Sequence, residues 1–461
     1  MDRDRPTGEI GAPTRVVVVG AGFAGFTALR RLERLLARRG AEGDIELVLV
    51  SPQDYMLYTP LLPEVASGVL QPRSVAVPLR PTLPGTTVVP GWATAVDVAG
   101  RTVTVDPGDA DGHVVHVPWD RLVLVPGSVT RQFAVPGVEA VAHGVKTVNE
   151  ALFLRDHLLA QLDRADALPD TAEGRAEREG RLTVVAVGAG YTSTELVGQL
   201  QRWLHAIASR WERIRPADVR WLLLDVSHTV LPELGPVLGA VATQVLRRRG
   251  VDVRLGTTVA SATDRAVVLT DGTTVPTRTL IWGAGVVASP LVATVGAPTV
   301  RGRLVVDAQL RVDGLDHVWA AGDAAAVPDL TKDDGAVMPP TAQHAQRQGV
   351  VLADNVAASL GLGHPRRYAH RDLGLVADLG GRDAVANPLG IPLTGLPAKV
   401  VTRGYHLLAV PGAGNRVRLA VDWALGALLA PHTVRLAGVR PDDALIPAAQ
   451  HTAIYDTAGS S

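Results

Sequence analysis

Two glycine-rich stretches have the residue types and spacing of sites that hold the diphosphate of a dinucleotide. The first places Gly20, Gly22 and Gly25 in the pattern G-x-G-x-x-G, directly after the four valines Val16–Val19. In this motif the first glycine permits a tight turn, the second lets the backbone approach the phosphates, and the third lets the helix pack on the strand. The N–H groups at the start of the helix face the phosphates. Because a strand precedes the motif and residues 26–36 have helical spacing, the sequence predicts a dinucleotide site here.

A second stretch of the same kind begins at Gly188. Gly188 and Gly190 follow an apolar predicted strand, and Ser193 stands at the position of the third glycine. The next predicted strand ends in Asp225, where an acid binds the ribose hydroxyls and favours NADH over NADPH because it repels a 2′-phosphate. Two motifs in one chain predict two cofactors, most simply a bound flavin and an exchangeable nicotinamide.

Other polar and glycine residues end predicted strands near these motifs. Ser51 follows the second strand of the first motif, where its hydroxyl can bond a ribose but adds no charge. Gly127 and Gly285 lie in turns that follow further strands. Glu195 lies in the first turns of the helix after the second glycine loop, where a carboxylate can orient a nicotinamide or relay a proton. The alternative is a structural glutamate that complements the helix dipole.

The composition bounds the class of protein. With 461 residues the chain is long enough for two to four domains. It has no cysteine, which excludes disulfides, a redox-active dithiol and cysteine-ligated metal sites, and we expect no metal. The net charge of −1 predicts no nucleic acid partner. We expect a cytoplasmic location, because no signal peptide and no apolar run of roughly 18 residues is present.

Taken together, the motifs resemble those of the pyridine nucleotide-disulfide reductase-like flavoproteins, and among these the type II NADH dehydrogenases, which are non-proton-pumping NADH:quinone oxidoreductases. The resemblance covers about residues 14–435. It implies an α/β fold with two Rossmann-like dinucleotide-binding domains and a C-terminal α+β region. It also implies FAD in the first site, NADH in the second and Asp323 on the ribityl chain of FAD. The further matching segments are Tyr58–Pro63, Trp282–Pro290, Gly322–Asp323 and Pro340–Gln348.

The acceptor side of the family carries the motif Ala-Gln-x-Ala-x-Gln, which this chain matches in part. The match at Ala342–Ala345 implies that Gln343 contacts FAD. Arg347 stands at the position of the second glutamine, with Gln346 and Gln348 on either side. On a helix, a shift of one residue rotates a side chain by about 100°. Arginine in place of the second glutamine favours a more polar or anionic acceptor than the quinone that the resemblance implies.

The resemblance and the composition shifts predict four segments. They are a disordered N-terminus at 1–14, an FAD-binding domain at 15–163 and 296–350, an NAD(H)-binding domain at 164–295, and a C-terminal domain at 351–461. We expect an exposed loop at 165–180 and a loose tail after Pro441. We also expect a small antiparallel sheet formed by the short runs 75–77, 87–89, 102–105 and 114–117.

The C-terminal domain has two apolar helical stretches, 398–408 and 417–429. Between Lys399 and Arg440 there are six basic residues and one acidic residue, Asp422. Apolar helices beside arginines are typical of peripheral binding at a membrane surface, here the inner face of the cell membrane. The alternative is that the two helices pack on the body of the protein or form a homodimer contact.

The sequence therefore predicts an FAD-dependent oxidoreductase that passes a hydride from NADH through the flavin to a quinone-type acceptor, without proton pumping. Glu195, Gln343 and Arg347 are the predicted catalytic residues. One alternative is a cysteine-free NAD(P)H-dependent flavoprotein reductase that uses a protein or small-metabolite acceptor. Another is a flavin-binding sensor with low turnover.

Overall fold

The computed structural model describes residues 13–41, 43–108, 112–332, 335–370 and 372–459. The chain divides into two compact units, each assembled from three separate segments. Unit one is Met1–Met56, Pro78–Ser128 and Ala288–His370, and unit two is Leu57–Val77, Val129–Val287 and Arg371–Ser461.

The helices of the described residues are, in chain order, α1 Phe23–Arg39, α2 Leu62–Ala66, α3 Pro72–Val75, α4 Leu79–Thr82, α5 Val148–Asp166, α6 Ala172–Leu182, α7 Tyr191–Ile207, α8 Pro236–Arg248, α9 Ala342–Ser359, α10 Gly395–Ala409, α11 Ala413–Leu428 and α12 Ile446–Ala449. None of these described helices is long and apolar enough to cross a membrane.

The strands are β1 Thr14–Val19, β2 Ile45–Ser51, β3 Tyr55–Leu57, β4 Ala76–Pro78, β5 Thr86–Pro90, β6 Trp92–Asp97, β7 Thr102–Asp106, β8 Val115–Pro118, β9 Arg121–Leu124, β10 Ser128–Thr130, β11 Ala142–His143, β12 Thr183–Val187, β13 Arg220–Asp225, β14 Val251–Leu255, β15 Val259–Ala262, β16 Ala266–Leu269, β17 Thr274–Pro276, β18 Thr279–Trp282, β19 Val286–Ala288, β20 Thr299–Val300, β21 Arg303–Val305, β22 Val318–Ala320, β23 Ala325–Ala326, β24 Val376–Asp378, β25 Ala384–Ala386 and β26 Leu393–Thr394.

Unit one is built on a parallel five-stranded sheet in the order β22-β9-β1-β2-β5. The valines of β1 are fully buried at its centre, where Val17 pairs with Val48 on one side and Leu122 on the other. A continuous apolar run is typical of a strand covered on both faces. Helices α1 and α9 pack closely against each other. A β-carbon on Gly349 of α9 would lie only 2.5 Å from the backbone oxygen of Ala24 in α1.

The predicted antiparallel sheet of unit one is present as β6-β7-β8, but two of its four predicted members were wrong. Residues 75–77 do not belong to it, because Val75 ends α3 and β4 pairs with β3 in a two-stranded sheet. Residues 87–89 form β5, which pairs in parallel with β2 at the edge of the main sheet, Thr87 opposite Val48. A strand of alternating exposure at a sheet edge has the same pattern as a strand of a small antiparallel sheet, so periodicity alone did not distinguish them.

Unit two contains a second parallel five-stranded sheet, in the order β11-β18-β12-β13-β14. An antiparallel sheet, β15-β16-β17, follows within the same unit. Near the C-terminus, β24-β25-β26 form a third, antiparallel sheet against which α10 packs. Its small core consists of Ala384, Ala386 and Ala398, with Val376 and Leu393 beside them. The predicted fold class, α/β with two Rossmann-like domains and a C-terminal α+β region, is confirmed.

The predicted exposed loop at 165–180 was wrong, because most of it is helical. Helix α5 continues to Asp166, and α6 begins after Thr171, whose hydroxyl accepts the N–H of Gly174 at 3.1 Å. Glu177 pairs with Arg181 four residues later at 2.7 Å. Most side chains of α6 are charged or small, so the helix lacks the apolar stripe by which an amphipathic helix is recognised in a sequence.

In the described part of the tail, residues 442–450 pack on other parts of unit two, contrary to the prediction of a loose end after Pro441. Leu445 forms a backbone bridge with His143, and Ile446 is 2% exposed. The side chain of Gln450 donates to Thr130 Oγ1 and to Glu150 Oε1, each at 2.8 Å. The segment is short and mixed in polarity, so its sequence carries no periodic signal of burial.

The N-terminal prediction of disorder at 1–14 falls mainly on residues 1–12, which lie outside the described residues. Thr14 already belongs to β1 and pairs with Ile45, so the prediction was wrong at that residue. The other domain boundaries stay a prediction. The compact units place α5 and α6 together in unit two and assign residues 351–370 to unit one.

Candidate cofactor and acceptor sites

The first glycine loop of unit one has the geometry that a bound diphosphate requires. Gly20 has a φ of 108°, and a β-carbon on it would lie 2.3 Å from the backbone oxygen of Val125. A β-carbon on Gly25 would lie 2.0 Å from the oxygen of Gly20. Gly22, in contrast, has no atom within 4 Å of its β-carbon position, so its backbone is open to a ligand. It directly precedes α1, whose N-terminus attracts an anion.

Two other predicted cofactor residues of unit one lie at the ends of its central strands. Ser51 is buried, and its hydroxyl donates to the carbonyl of Gln53 at 2.8 Å. The hydroxyl proton is thereby committed, which leaves an oxygen that can still accept from a ribose hydroxyl. Gly127 has a φ of 77° and open space at its β-carbon position.

Asp323 lies on a short 3-10 turn, Gly322–Ala324, that two polar side chains hold in place. Gln348 Oε1 accepts the N–H of Gly322 at 2.7 Å, and the hydroxyl of Ser128 donates to the Asp323 carboxylate. Sequence analysis treated Gln348 only as a neighbour of Arg347 and did not assign a role to Ser128. The spacing i, i+5 between Gln343 and Gln348 was an available signal, because it places the two amides on different faces of one helix.

The acceptor motif forms the first two turns of α9. Gln343 is buried, and its Oε1 accepts from His370 Nε2 at 3.3 Å. The guanidinium of Arg347 donates to the backbone oxygen of Gln343 at 3.1 Å. Gln343 and Arg347 are four residues apart and therefore lie on the same face of α9. The guanidinium of Arg347 thus stands on the helix face where the family motif has its second amide. His370 was not found from the sequence, because no motif includes it.

The second glycine loop, in unit two, repeats the geometry of the first. Gly188 has a φ of 98°, and a β-carbon on it would lie 2.3 Å from the oxygen of Gly283. Gly190 has open space at its β-carbon position and directly precedes α7. Ser193 is buried and donates to the oxygen of Val187 at 3.3 Å. A β-carbon on Gly283 would lie 2.0 Å from Ser193 Oγ, so the neighbouring strand provides the space that the serine needs.

Asp225 ends β13 beside this loop, as predicted. Its carboxylate accepts the N–H of Ala189 within the glycine loop and the N–H of Ser227 at 2.6 Å. These contacts fix the carboxylate at the strand end, where a ribose-binding acid belongs. Gly285, after β18, has a φ of 93° and open space at its β-carbon position. The residues of both loops therefore fit a dinucleotide, because open backbone lies where the diphosphate must approach.

Glu195, in the second turn of α7, belongs to a group of charged side chains in unit two. Its Oε1 accepts the backbone N–H of Asp378 at 2.7 Å. Exclusion from solvent raises the pKa of Glu195 well above its usual value, and the charges of Asp378 and Glu64 raise it further. A carboxyl group with such a pKa retains a proton more readily than an exposed one, which is the property of a general acid.

The neighbours of Glu195 are themselves buried and ionisable. Lys399 forms an ion pair with Asp378, and their side chains are 6% and 7% exposed. Glu64, which is 3% exposed, accepts the indole N–H of Trp423 at 2.6 Å. We refer to Glu64, Glu195, Asp378 and Lys399 as the acid cluster. Sequence analysis found only Glu195, because the other members lie far from it in the chain and match no motif.

A neutral pair adjoins the acid cluster. The hydroxyl of Tyr58 lies 3.0 Å from Nδ1 of His406. Burial lowers the pKa of His406 to about 4, so the imidazole is neutral at pH 7. Burial raises the pKa of Tyr58, which keeps its phenol protonated. The pair therefore adds hydrogen-bonding groups, but no charge, beside Lys399.

Two Rossmann-type units in a cysteine-free chain define a two-cofactor oxidoreductase, and comparison with known proteins agrees. The sequence profile of the pyridine nucleotide-disulphide oxidoreductases matches residues 14–349. The chain belongs to this family, and within it to the branch of the type II NADH:quinone oxidoreductases. Membership confirms the predicted enzyme class and its two cofactors, FAD and NADH.

The relatives are similar over most of their length. The type II NADH:quinone oxidoreductase NdhA of Mycobacterium tuberculosis is 30% identical over 90% of this chain and 87% of its own. The internal alternative NAD(P)H-ubiquinone oxidoreductase A1 of Solanum tuberosum is 29% identical over 89% of this chain and 85% of its own. Among solved structures, NDH2 of Plasmodium falciparum in complex with NADH has a TM-score of 0.83, at 17% identity, covering 92% of this chain and all of the other.

Proposed function

We propose that the protein oxidises NADH and reduces a quinone-type acceptor, with FAD as the bound intermediary. The observation that carries this proposal is the pair of dinucleotide loops in one chain that contains no cysteine. A disulfide reductase requires a dithiol, whereas transfer between two dinucleotides requires only the two binding loops. The names of the relatives from M. tuberculosis and S. tuberosum support the choice of a quinone as acceptor.

We assign the two cofactors to the two units by their ribose-side residues. Asp225 in unit two suits NADH, because its carboxylate repels a 2′-phosphate. Asp323 in unit one suits the ribityl hydroxyls of FAD. When bound, FAD accepts a hydride from NADH and passes the two electrons to the acceptor. The residues assigned to FAD are Gly20, Gly22, Gly25, Ser51, Gly127, Asp323 and Gln343, and those assigned to NADH are Gly188, Gly190, Asp225 and Gly285.

Acceptor reduction also requires a proton, because a quinone takes up two electrons and two protons. One hydrogen arrives with the hydride, and the second must come from solvent through the protein. Glu195 is the group that we assign to this transfer, since burial raises its pKa well above the usual value and so favours the protonated form of the carboxyl group. Gln343 and Arg347 are assigned to the acceptor side, where the guanidinium favours an acceptor with a polar or anionic ring substituent.

A peripheral membrane location is consistent with α11. Val417, Val421, Leu425 and Leu428 lie on one helix face and are between 47% and 81% exposed. Arg416 and Arg418 flank this face and are exposed. An apolar face with flanking arginines suits the surface of an anionic bilayer, and a homodimer contact is the alternative occupant of the same face.

Anaerobic stopped-flow spectroscopy tests the proposal. Purified protein is mixed with NADH and then with a soluble short-chain quinone, while the flavin absorbance is followed. Rapid bleaching by NADH and rapid recovery with quinone are expected. Bleaching without recovery would overturn the quinone assignment, and slow or absent bleaching would overturn the oxidoreductase itself. Flotation with vesicles of anionic and of neutral lipid, at low and high salt, tests the membrane surface.

A further inference from the structure

We propose that Arg249 is a positioning residue for Glu195. Its guanidinium holds the turn 379–383 against α7, and the residue before this turn, Asp378, donates its backbone N–H to the carboxyl group of Glu195. The part of Glu195 in acceptor reduction rests on the proposed function. The placement of its carboxyl group rests only on contacts within unit two.

The turn 379–383 joins β24 to β25 and is closed by its own backbone. The N–H of Leu379 donates to the backbone oxygen of Asp383 at 3.0 Å. Gly380 has a φ of 85°, which favours glycine, and its N–H donates to Asp378 Oδ1 at 2.8 Å. The backbone of Asp378 is therefore continuous with a closed turn, and any shift of the turn moves the N–H that Glu195 accepts.

Arg249 follows α8 and binds this turn through four acceptors. Its Nη1 donates to the backbone oxygen of Leu379 and, at 3.3 Å, to that of Gly198. Its Nη2 donates to the backbone oxygen of Gly380 at 2.9 Å and to the carboxylate of Asp383. The side chain is 17% exposed. A planar guanidinium can serve this many acceptors at once, whereas the compact ammonium of a lysine cannot match the same geometry.

Helix α7 receives the turn on the face that carries Glu195. Gly198 lies three residues after Glu195, so the two positions are neighbours on one helix face. A β-carbon on Gly198 would lie 2.7 Å from the backbone oxygen of Leu379, so the missing side chain lets the turn approach. The amide of Gln201 donates to the backbone oxygen of Arg249 at 2.9 Å. Both the arginine and the turn that it holds are thus fixed to the helix of Glu195.

This arrangement determines which oxygen of Glu195 carries a proton. The N–H of Asp378 donates to Glu195 Oε1 at 2.7 Å. In a protonated carboxyl group the carbonyl oxygen is the better acceptor, because the other oxygen is already bound to the proton. The N–H therefore directs the proton of Glu195 to Oε2. Without Arg249 the turn loses its attachment to α7, and the orientation of the carboxyl group is no longer fixed.

Arg249→Met tests this role. We expect bleaching of the flavin by NADH to keep its wild-type rate. Recovery with a short-chain quinone should slow by about tenfold, because a proton donor that is no longer oriented loses part of its contribution.

The matched control is Arg278→Met, which also removes a largely buried arginine from unit two. Arg278 is 12% exposed, pairs with Glu177 and donates to the backbone oxygen of Asp264 at 2.8 Å. Both variants should be less stable than the wild type, but the control should recover at the wild-type rate. Equal recovery rates in Arg249→Met and Arg278→Met would overturn the proposal.

A second variant displaces the turn without removing the guanidinium. In Gly198→Ala the new methyl group meets the backbone of Leu379, so the turn must move away from α7. Slower recovery with unchanged bleaching is expected again. Gly174→Ala is the control, because a β-carbon there would lie 2.1 Å from the backbone oxygen of Pro169, in another part of unit two. A wild-type recovery rate in Gly198→Ala would overturn the proposal even if Arg249→Met failed to fold.

Combining Arg249→Met with Glu195→Gln shows whether the arginine acts through Glu195. The double variant should recover at the rate of Glu195→Gln alone, because the orientation of residue 195 matters only while it can give a proton. Two changes that act through one group are not additive. A further loss of rate in the double variant would mean that Arg249 acts by another route, which would overturn the proposal.

Infrared difference spectroscopy provides a readout that does not depend on the acceptor. The carbonyl stretch of protonated Glu195 is the band that disappears in Glu195→Gln. A hydrogen bond to the carbonyl oxygen lowers the frequency of this stretch. The band should therefore lie at higher wavenumber in Arg249→Met and stay in place in Arg278→Met.

An unshifted band in Arg249→Met would overturn the proposal. If quinone does not reoxidise the wild-type flavin, the proposed function fails. The position of the infrared band still decides whether Arg249 positions the carboxyl group of Glu195.

Discussion

The hydroxyl of Ser193 occupies the place where a side chain on Gly283 would begin. A β-carbon built on Gly283 lies 2.0 Å from Ser193 Oγ, so the glycine compensates for the serine. Unit one has the opposite arrangement. There Gly25 lies against Val125, whose Cγ2 would be 3.0 Å from a β-carbon on the glycine. In each unit, the close contact therefore includes one glycine. In unit two the glycine is Gly283, after the strand, and in unit one it is Gly25, on the helix.

This relationship predicts that Gly283→Ala destabilises the protein by about 1–3 kcal/mol through overpacking. The second change Ser193→Gly should recover most of the loss, because it removes the hydroxyl that the new methyl group meets. Denaturant unfolding of the two single variants and the double variant measures the coupling. Additive effects in the double variant would contradict the paired packing.

Gly190→Ala should leave stability almost unchanged, because nothing lies within 4 Å of its β-carbon position and its φ of −74° suits alanine. The methyl group would occupy the approach to the diphosphate. We expect the KM for NADH to rise about tenfold, which corresponds to roughly 1.4 kcal/mol of binding. Steady-state kinetics, with a thermal melt as the control, test this prediction. An unchanged KM would mean that the diphosphate of NADH does not bind at Gly190.

Asp225→Ala should raise the KM for NADH while leaving the bound FAD content at its wild-type level. The variant lacks the carboxylate that we assign to the ribose hydroxyls, and it also loses the bonds from the N–H groups of Ala189 and Ser227. The same variant should use NADPH relatively better than the wild type, since the charge that repels a 2′-phosphate is gone. Loss of FAD from the purified variant would mean that the two cofactors are assigned to the wrong units.

Gln348→Leu should release FAD more readily than the wild type. It leaves the N–H of Gly322 without its side-chain acceptor, at a cost of about 1–3 kcal/mol, and loosens the turn that carries Asp323. The measurement is FAD retention during dialysis. Gln346→Leu, two positions before Gln348 on the same helix and outside this contact, serves as the matched control and should retain FAD normally.

Glu195→Gln should slow acceptor reduction by about 10²-fold, the typical contribution of a general acid. The amide resembles the protonated carboxyl that the raised pKa favours, so the melting temperature should not fall. Flavin reduction, flavin reoxidation and FAD content are measured on the same preparation. Unchanged rates in both half-reactions would remove Glu195 from the mechanism.

The sequence predicted both glycine loops and Asp225 because strand, turn and helix follow one another within about thirty residues. Such local patterns carry their structural context with them. The structure says more about the position of the Arg347 side chain than the sequence does. The sequence shows only that it replaces an amide, whereas the structure shows its guanidinium on the backbone of Gln343.

Contacts between distant parts of the chain could not be predicted from the sequence. Glu64 and Trp423 are 359 positions apart, and no periodicity connects them. Asp378 ends a three-residue strand whose sequence gives no sign of a buried ion pair. The tail was expected to be loose because burial of Gln450 depends on partners about 300 positions earlier.

The buried contact between Glu150 and Gln450 has a consequence for synthesis of the chain. Residue 150 leaves the ribosome 300 residues before its partner exists. Throughout that interval the carboxyl group of Glu150 and the site of Ile446 remain open to water. Unit two can therefore reach its final packing only after Gln450 has been synthesised, and the nascent chain must remain soluble until then.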